Sequence, residues 1–169
     1  MTTTATTTTT TADGTTTIEA PSDLPVIRIT REFAATPAQL VRAHTDADLF
    51  ARWTGPDGTE VKIDQWDPRT GGSWRYLAVV RGEEYGFHGC FHTVREDRLV
   101  QTFTFEGVPD GVALETMVFE DLGDGRTRMM SESLVESFET RDMILSSGME
   151  VGLNDGYARL DTMLAAGDL

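Results

Sequence analysis

Hydrophobic and polar positions along the chain follow two periods. From Val26 to Phe33, the residues Ile27, Ile29, Arg31 and Phe33 alternate with the rest and share one face, which predicts a strand. Thr36 then precedes Pro37, with Gln39 three residues after the threonine. That capping-box spacing, with proline where its missing N–H is an orphan anyway, predicts a helix from Pro37 to about Thr45. Asp46 can cap a second short helix through Trp53, and Gly55-Pro56-Asp57-Gly58 stops it. From Thr59 to Val135 the period is two, predicting strands over 59–66, 73–80, 84–94, 98–106, 113–121 and 126–136. Turns fall at Asp67 to Gly72, Gly82, Glu96-Asp97, Pro109-Asp110-Gly111 and Gly123-Asp124-Gly125. Connections this short dictate an antiparallel meander.

A single final helix is expected from about Thr140 to Ala166. Leu145, Met149, Leu153, Tyr157, Leu160 and Leu164 recur at spacings of three or four and form one apolar stripe. Gly148, Gly152 and Gly156 recur every four residues beside it. Glycine weakens a helix interior by about 1 kcal/mol relative to alanine, so the row needs a reason. Close backbone approach to the sheet is one; room beside the helix for something that is not protein is the other. One strand, two short helices, six strands and a long helix have one economical packing. The expected class is α+β: a seven-stranded curved antiparallel sheet with the C-terminal helix in its concave face and a hollow between them.

Residues 1 to 17 hold 12 threonines and no apolar residue larger than alanine after Met1. Such a stretch buries too little surface to offset its ordering entropy. Met1 to about Asp23 is therefore expected to be a disordered tail, and residues 24–169 a single domain. The tail lacks the basic start and apolar centre of a secretory signal. Across the chain, 28 Asp and Glu face 14 Lys and Arg, a net charge of -14. An acidic surface of this kind repels phosphate, which argues against nucleic acid as a partner. The longest apolar run, Tyr76 to Val80, is far shorter than the ~20 residues of a membrane span, which argues against a membrane. Cys90 is the only cysteine, so no internal disulfide forms, and this fits a reducing cytosol. The expectation is a soluble, cytoplasmic domain that handles a small molecule or another protein.

Several segments resemble a known bacterial family. They are Ile29-Thr30-Arg31-Glu32-Phe33, Leu49-Phe50-Ala51-Arg52-Trp53-Thr54-Gly55-Pro56-Asp57 and Gly71-Gly72-Ser73-Trp74-Arg75-Tyr76. Gly89-Cys90-Phe91, Arg98-Leu99-Val100-Gln101-Thr102, Gly125-Arg126-Thr127-Arg128 and Gly148-Met149-Glu150-Val151-Gly152 continue the series. Together they are similar to stand-alone bacterial proteins related to the C-terminal domain of the Hsp90 ATPase activator. Those belong to the START/Bet v 1-like (SRPBCC) superfamily, and the match runs in unbroken order from about Val26 to Ala166. The resemblance implies a helix-grip fold enclosing a mostly hydrophobic ligand cavity. That fold hosts lipid carriers, polyketide cyclases, hormone receptors and co-chaperone domains, so it does not fix a function. Relatives often carry Trp-Trp-Gly-Pro where this chain has Trp53-Thr54-Gly55-Pro56, and a tryptophan where it has His44. Both changes shrink or polarise the region around the second helix.

Candidate chemistry is mostly aromatic. Trp74 and Tyr76 share a face of one strand, Tyr85, Phe87 and Phe91 a face of the next, and Phe103 and Phe105 a face of the third. Gly89, among those aromatics, removes a side chain where a neighbour or ligand could sit. These residues make either an ordinary aromatic core or the wall of a cavity for a flat or lipidic apolar molecule. Trp53, Tyr157, Met143 and Met149 complete the expected ligand-binding set, thioethers being adaptable wall material. His88, Cys90 and His92 alternate on the opposite face, ~7 Å apart along the strand. They lie on the solvated side if Phe87 and Phe91 face inward, so no metal and no cofactor is expected. His44 is expected to be a half-buried helix residue rather than a base. No Gly-x-Ser-x-Gly elbow, phosphate loop, His-Glu-x-x-His or Cys-x-x-Cys pattern is present, and no catalytic residue is assigned. Glu115 and Glu132 are the carboxylates to inspect first, with strand register deciding which way they face. The leading expectation is a binder of a small apolar ligand. The alternatives are a module that binds an Hsp90-like chaperone and a cyclase- or dehydratase-like enzyme using the same cavity. A homodimer through a strand edge or an uncovered apolar patch also stays open.

Overall fold

The computed structural model describes residues 5–11 and 14–169. In chain order its elements are β1 (Ala5–Thr11), β2 (Gly14–Ala20), β3 (Val26–Phe33), α1 (Pro37–Thr45), α2 (Ala47–Trp53), β4 (Glu60–Trp66) and β5 (Ser73–Val80). There follow β6 (Glu83–Val94), β7 (Arg98–Phe105), β8 (Ala113–Gly123), β9 (Arg126–Leu134), α3 (Phe138–Ser146) and α4 (Met149–Ala166). The strands form one nine-stranded sheet in the order β1-β2-β3-β9-β8-β7-β6-β5-β4. Every neighbouring pair is antiparallel. This is the expected α+β helix-grip arrangement, with two strands more than the seven predicted.

Both extra strands come from the segment expected to be a disordered tail. β2 pairs with β3 from Thr16↔Arg31 to Glu19↔Arg28, and β1 pairs with β2 from Ala5↔Ala20 to Thr11↔Gly14. Residues 1–4 and 12–13 of that tail lie outside the described residues. The correction has a physical cause. Threonine is β-branched and suits a pleated strand, and β2 buries Thr16, Ile18 and Ala20 against the rest of the fold. Thr16 accepts a hydrogen bond at 2.8 Å from the guanidinium of Arg31, which is buried on the apolar face of β3.

The helices sit as their caps dictate. Thr36 and Gln39 close the capping box of α1, and the carboxylate of Asp46 accepts from the amides of Asp48 and Leu49 at the start of α2. The final helix, expected to be single, is broken. Ser147 and Gly148 separate α3 from α4, and Gly148 adopts φ +84, a left-handed conformation suited to glycine. The other two glycines serve close approach. A Cβ on Gly156 would lie 2.8 Å from the carbonyl oxygen of Trp53, and one on Gly152 would lie 3.2 Å from Cδ of Pro56. The glycine row therefore lets α4 press on the α2–β4 connection, not on the sheet.

Packing differs between the two ends of the concave face. At one end Phe33, Phe119, Met129, Leu40 and Leu160 close a core from β3, β8, β9, α1 and α4. Further along, the inward positions become small or polar: Ser131 and Ser133 on β9, Ala113 and Glu115 on β8. Register shifts at Ile63/Gln65, Phe91/Thr93 and Asp121/Gly123 accompany the bending of the sheet. Side chains too short to reach the helices leave a hollow there. Among the described residues, no helix is long and apolar enough to cross a membrane.

Candidate functional site

The hollow has two lobes. The outer lobe, about 700 Å³, lies between α3 and the strands β6, β7 and β8 with the loop that joins the last two. Its rim carries exposed apolar side chains, among them Val108, Val112 and Met143. The inner lobe, about 380 Å³, lies among α2, α4 and the inward faces of β4, β5, β7, β8 and β9. Phe87, Phe103, Glu115, Ser133 and Met149 border both lobes, so the two meet at a waist formed by these side chains.

The inner wall is the more aromatic of the two. All three tryptophans, Trp53, Trp66 and Trp74, line the inner lobe. There Trp74 stacks on Tyr76 (ring centroids 5.7 Å apart) and Tyr76 on Phe87 (5.2 Å). Two indoles are tied to α1: Trp53 donates to the carbonyl of Ala43 at 2.9 Å, and Trp66 to that of Thr45 at 2.6 Å. Among the described residues, the buried indole N–H of Trp74 has no acceptor and the buried hydroxyl of Thr54 has no partner. The outer lobe sets aliphatic side chains, Ile27, Val108, Val112, Val135 and Ile144, against an aromatic strip of Tyr85, Phe87, Phe103 and Phe105.

One polar row crosses the waist. Gln101 on β7 stands opposite Glu115 on β8, and Glu115 opposite Ser133 on β9. Nε2 of Gln101 donates to Glu115 at 2.9 Å and Oγ of Ser133 at 3.3 Å. Desolvation raises the Glu115 carboxyl above the usual carboxylate range, outweighing the lowering by those two hydrogen bonds. Glu115 keeps some accessible surface despite its depth, because it borders the hollow. Burial also pushes up the phenols of Tyr76 and Tyr157, with the nearby Glu115 adding to the rise. His44, expected to be half-buried, is buried outright. Its Nδ1 donates to the carbonyl of Leu40 at 2.8 Å, and desolvation lowers its pKa to about 4, so the ring is neutral at physiological pH.

Nine of the ten expected ligand-binding side chains border the hollow. Trp53, Trp74, Tyr76 and Tyr157 line the inner lobe, Phe105 and Met143 the outer, and Phe87, Phe103 and Met149 both. Phe91 borders neither lobe; it is 2% exposed and packs edge-on against Trp66 at 6.0 Å. Glu132 faces out and pairs with Arg28 at 2.7 Å. His88, Cys90 and His92 are exposed on the convex side, and no metal-binding group of His, Cys, Asp and Glu occurs among the described residues. Sequence reasoning missed Gln101, Ser131 and Ser133. Their signal was small or polar residues at inward positions of otherwise apolar strands.

Comparison with known proteins follows the same outline. Residues 34–165 match the model of a family described as Activator of Hsp90 ATPase homolog 1-like protein. A crystal structure from Rhodobacter sphaeroides is 28% identical, covers 83% of this chain and 92% of that one, and superposes with a TM-score of 0.76. A solution structure from Arthrobacter aurescens is 25% identical, covers 88% and 91%, and gives a TM-score of 0.80. A Mycobacterium smegmatis protein at 23% identity, covering 89% and 97% with a TM-score of 0.77, shares the fold. No curated protein matches the chain.

Proposed function

This chain belongs to the Activator of Hsp90 ATPase homolog 1-like family, and on that premise we propose that it binds a small hydrophobic, aromatic or lipidic ligand in the two-lobed cavity between the sheet and the C-terminal helices. The observation that carries this reading is the hollow itself. Its lobes of about 700 Å³ and 380 Å³ are walled mainly by aromatic and aliphatic side chains, with few polar groups converging on one point. Cavities of that size and character hold drug-sized ligands. Native mass spectrometry after incubation with a panel of fatty acids, alkylphenols and polycyclic aromatics tests it. A one-to-one adduct is expected, and it should disappear in Met149→Trp, which fills the waist. Failure of every panel member to give an adduct contradicts the reading.

A second reading, a cyclase- or dehydratase-like enzyme using the same cavity, is favoured by one feature. Glu115 is a buried carboxyl with a raised pKa at the point where a bound molecule would pass. The two readings part on turnover: incubation with a poly-β-carbonyl compound yields a cyclised product only under the enzymatic one.

A further inference from the structure

Resting on the cavity reading above, the polar row at the waist narrows the class of ligand. We propose that Glu115 is the recognition residue, donating a hydrogen bond to a neutral carbonyl oxygen midway along an elongated ligand. The ligand's flat aromatic end lies in the inner lobe and its flexible alkyl end in the outer lobe. Three observations converge on this. Glu115 borders both lobes, so it meets the middle of anything that spans them. The walls differ in degree: the inner lobe holds Trp53, Trp66 and Trp74, while the outer sets Val108, Val112 and Ile144 against Tyr85 and Phe105. Finally, the carboxyl receives hydrogen bonds from Gln101 and Ser133, while no basic side chain among the described residues pairs with it.

An ionised carboxylate without a counter-cation is costly in apolar surroundings, and its neutral form carries an O–H that needs an acceptor. The groups around the cavity keep that balance. His44 on α1 is held neutral by burial, and Tyr76 on β5 and Tyr157 on α4 are held as phenols. Arg31 on β3 is engaged by Asp161, and Glu136, bordering the outer lobe, is a like charge. A ligand cation would suit a carboxylate instead, so the choice between ketone and amine is a direct test.

The experiment compares a naphthyl long-chain alkyl ketone, the matched naphthyl alkane and the matched naphthyl alkylamine. Quenching of the inner-lobe tryptophans gives each dissociation constant across a range of pH. Below the carboxyl's pKa the ketone is expected to bind about tenfold more tightly than the alkane, the preference a buried hydrogen bond supplies. That preference should fade as the pH rises through the carboxyl's pKa. Glu115→Leu should bind ketone and alkane alike. Glu115→Gln, whose amide still donates, should keep the preference and lose its pH dependence. Equal binding of ketone and alkane by the unmodified protein overturns the donor role, and tightest binding of the amine overturns the neutral carboxyl. If none of the three binds, the cavity reading fails and takes this proposal with it.

Discussion

Acidification from about pH 7 to about pH 4.5 should destabilise the fold through His44, and the loss measures how dry the inner lobe is. The ring is buried, and desolvation lowers its pKa from 6.5 to about 4, outweighing the bond to the Leu40 carbonyl, which raises it. An unfolded chain takes up the proton near pH 6.5 and the folded one only near pH 4. Between those values the unfolded state binds more protons, so stability is complete above the upper value and drains away toward the lower. The gap corresponds to about 3 kcal/mol when fully expressed, and to about 2.5 kcal/mol at about pH 4.5. Glu115 acts in the opposite sense: its folded pKa is raised, so protonation on acidification favours the native state. Comparison with His44→Phe removes that contribution and those of the other carboxylates. The phenyl ring retains the edge contacts His44 makes with Trp53 (4.9 Å) and Phe119 (5.6 Å). Urea unfolding of both proteins at both pH values gives the four stabilities. The unmodified protein should lose about 2 to 3 kcal/mol more than the variant. Equal losses, within about 0.5 kcal/mol, would show that the native imidazole protonates freely and that water reaches it.

Asp161→Ala removes the carboxylate paired with the buried Arg31 guanidinium, and should cost about 3 to 5 kcal/mol in urea unfolding; a loss below about 1 kcal/mol would contradict a desolvated pair. Thr16→Val removes the acceptor that β2 offers Arg31 and should cost about 1 to 3 kcal/mol by the same assay. A disordered segment would give no change. Gly156→Ala, despite alanine's better helix propensity, should lower the melting temperature, because its Cβ would meet a backbone carbonyl at 2.8 Å. Gly152→Ala meets only the Pro56 ring at 3.2 Å and should be tolerated within about 1 kcal/mol, the size of the propensity gain; the reverse ranking would refute the glycine assignment.

The meander and its inward faces were legible because alternation is a local signal. Ile27, Ile29, Arg31 and Phe33 share a face in the sequence and are buried together in the fold. The capping residues Thr36 and Asp46 likewise announced α1 and α2. β2 was hidden because composition speaks to average hydrophobicity, whereas its order rests on Thr16, Ile18 and Ala20 meeting partners distant in sequence. The break at Gly148 was hidden among three glycines of equal spacing; one takes a left-handed φ, and two face Trp53 and Pro56. At the site, the aromatic faces of β5, β6 and β7 could be read strand by strand. Depth could not: Phe87 and Phe91 share a face, yet one borders the hollow and the other is sealed behind Trp66. The row Gln101–Glu115–Ser133 exists only through the register of three strands, which no single strand's pattern contains.

Diffraction from crystals pressurised with xenon tests the apolar hollow most directly, since xenon settles in dry apolar cavities. Xenon is expected in the lobe bordered by Trp53, Trp74 and Tyr157 and in the lobe bordered by Phe103, Val112 and Met143. Side chains closed over both spaces, with no xenon between sheet and helices, would contradict a ligand cavity there.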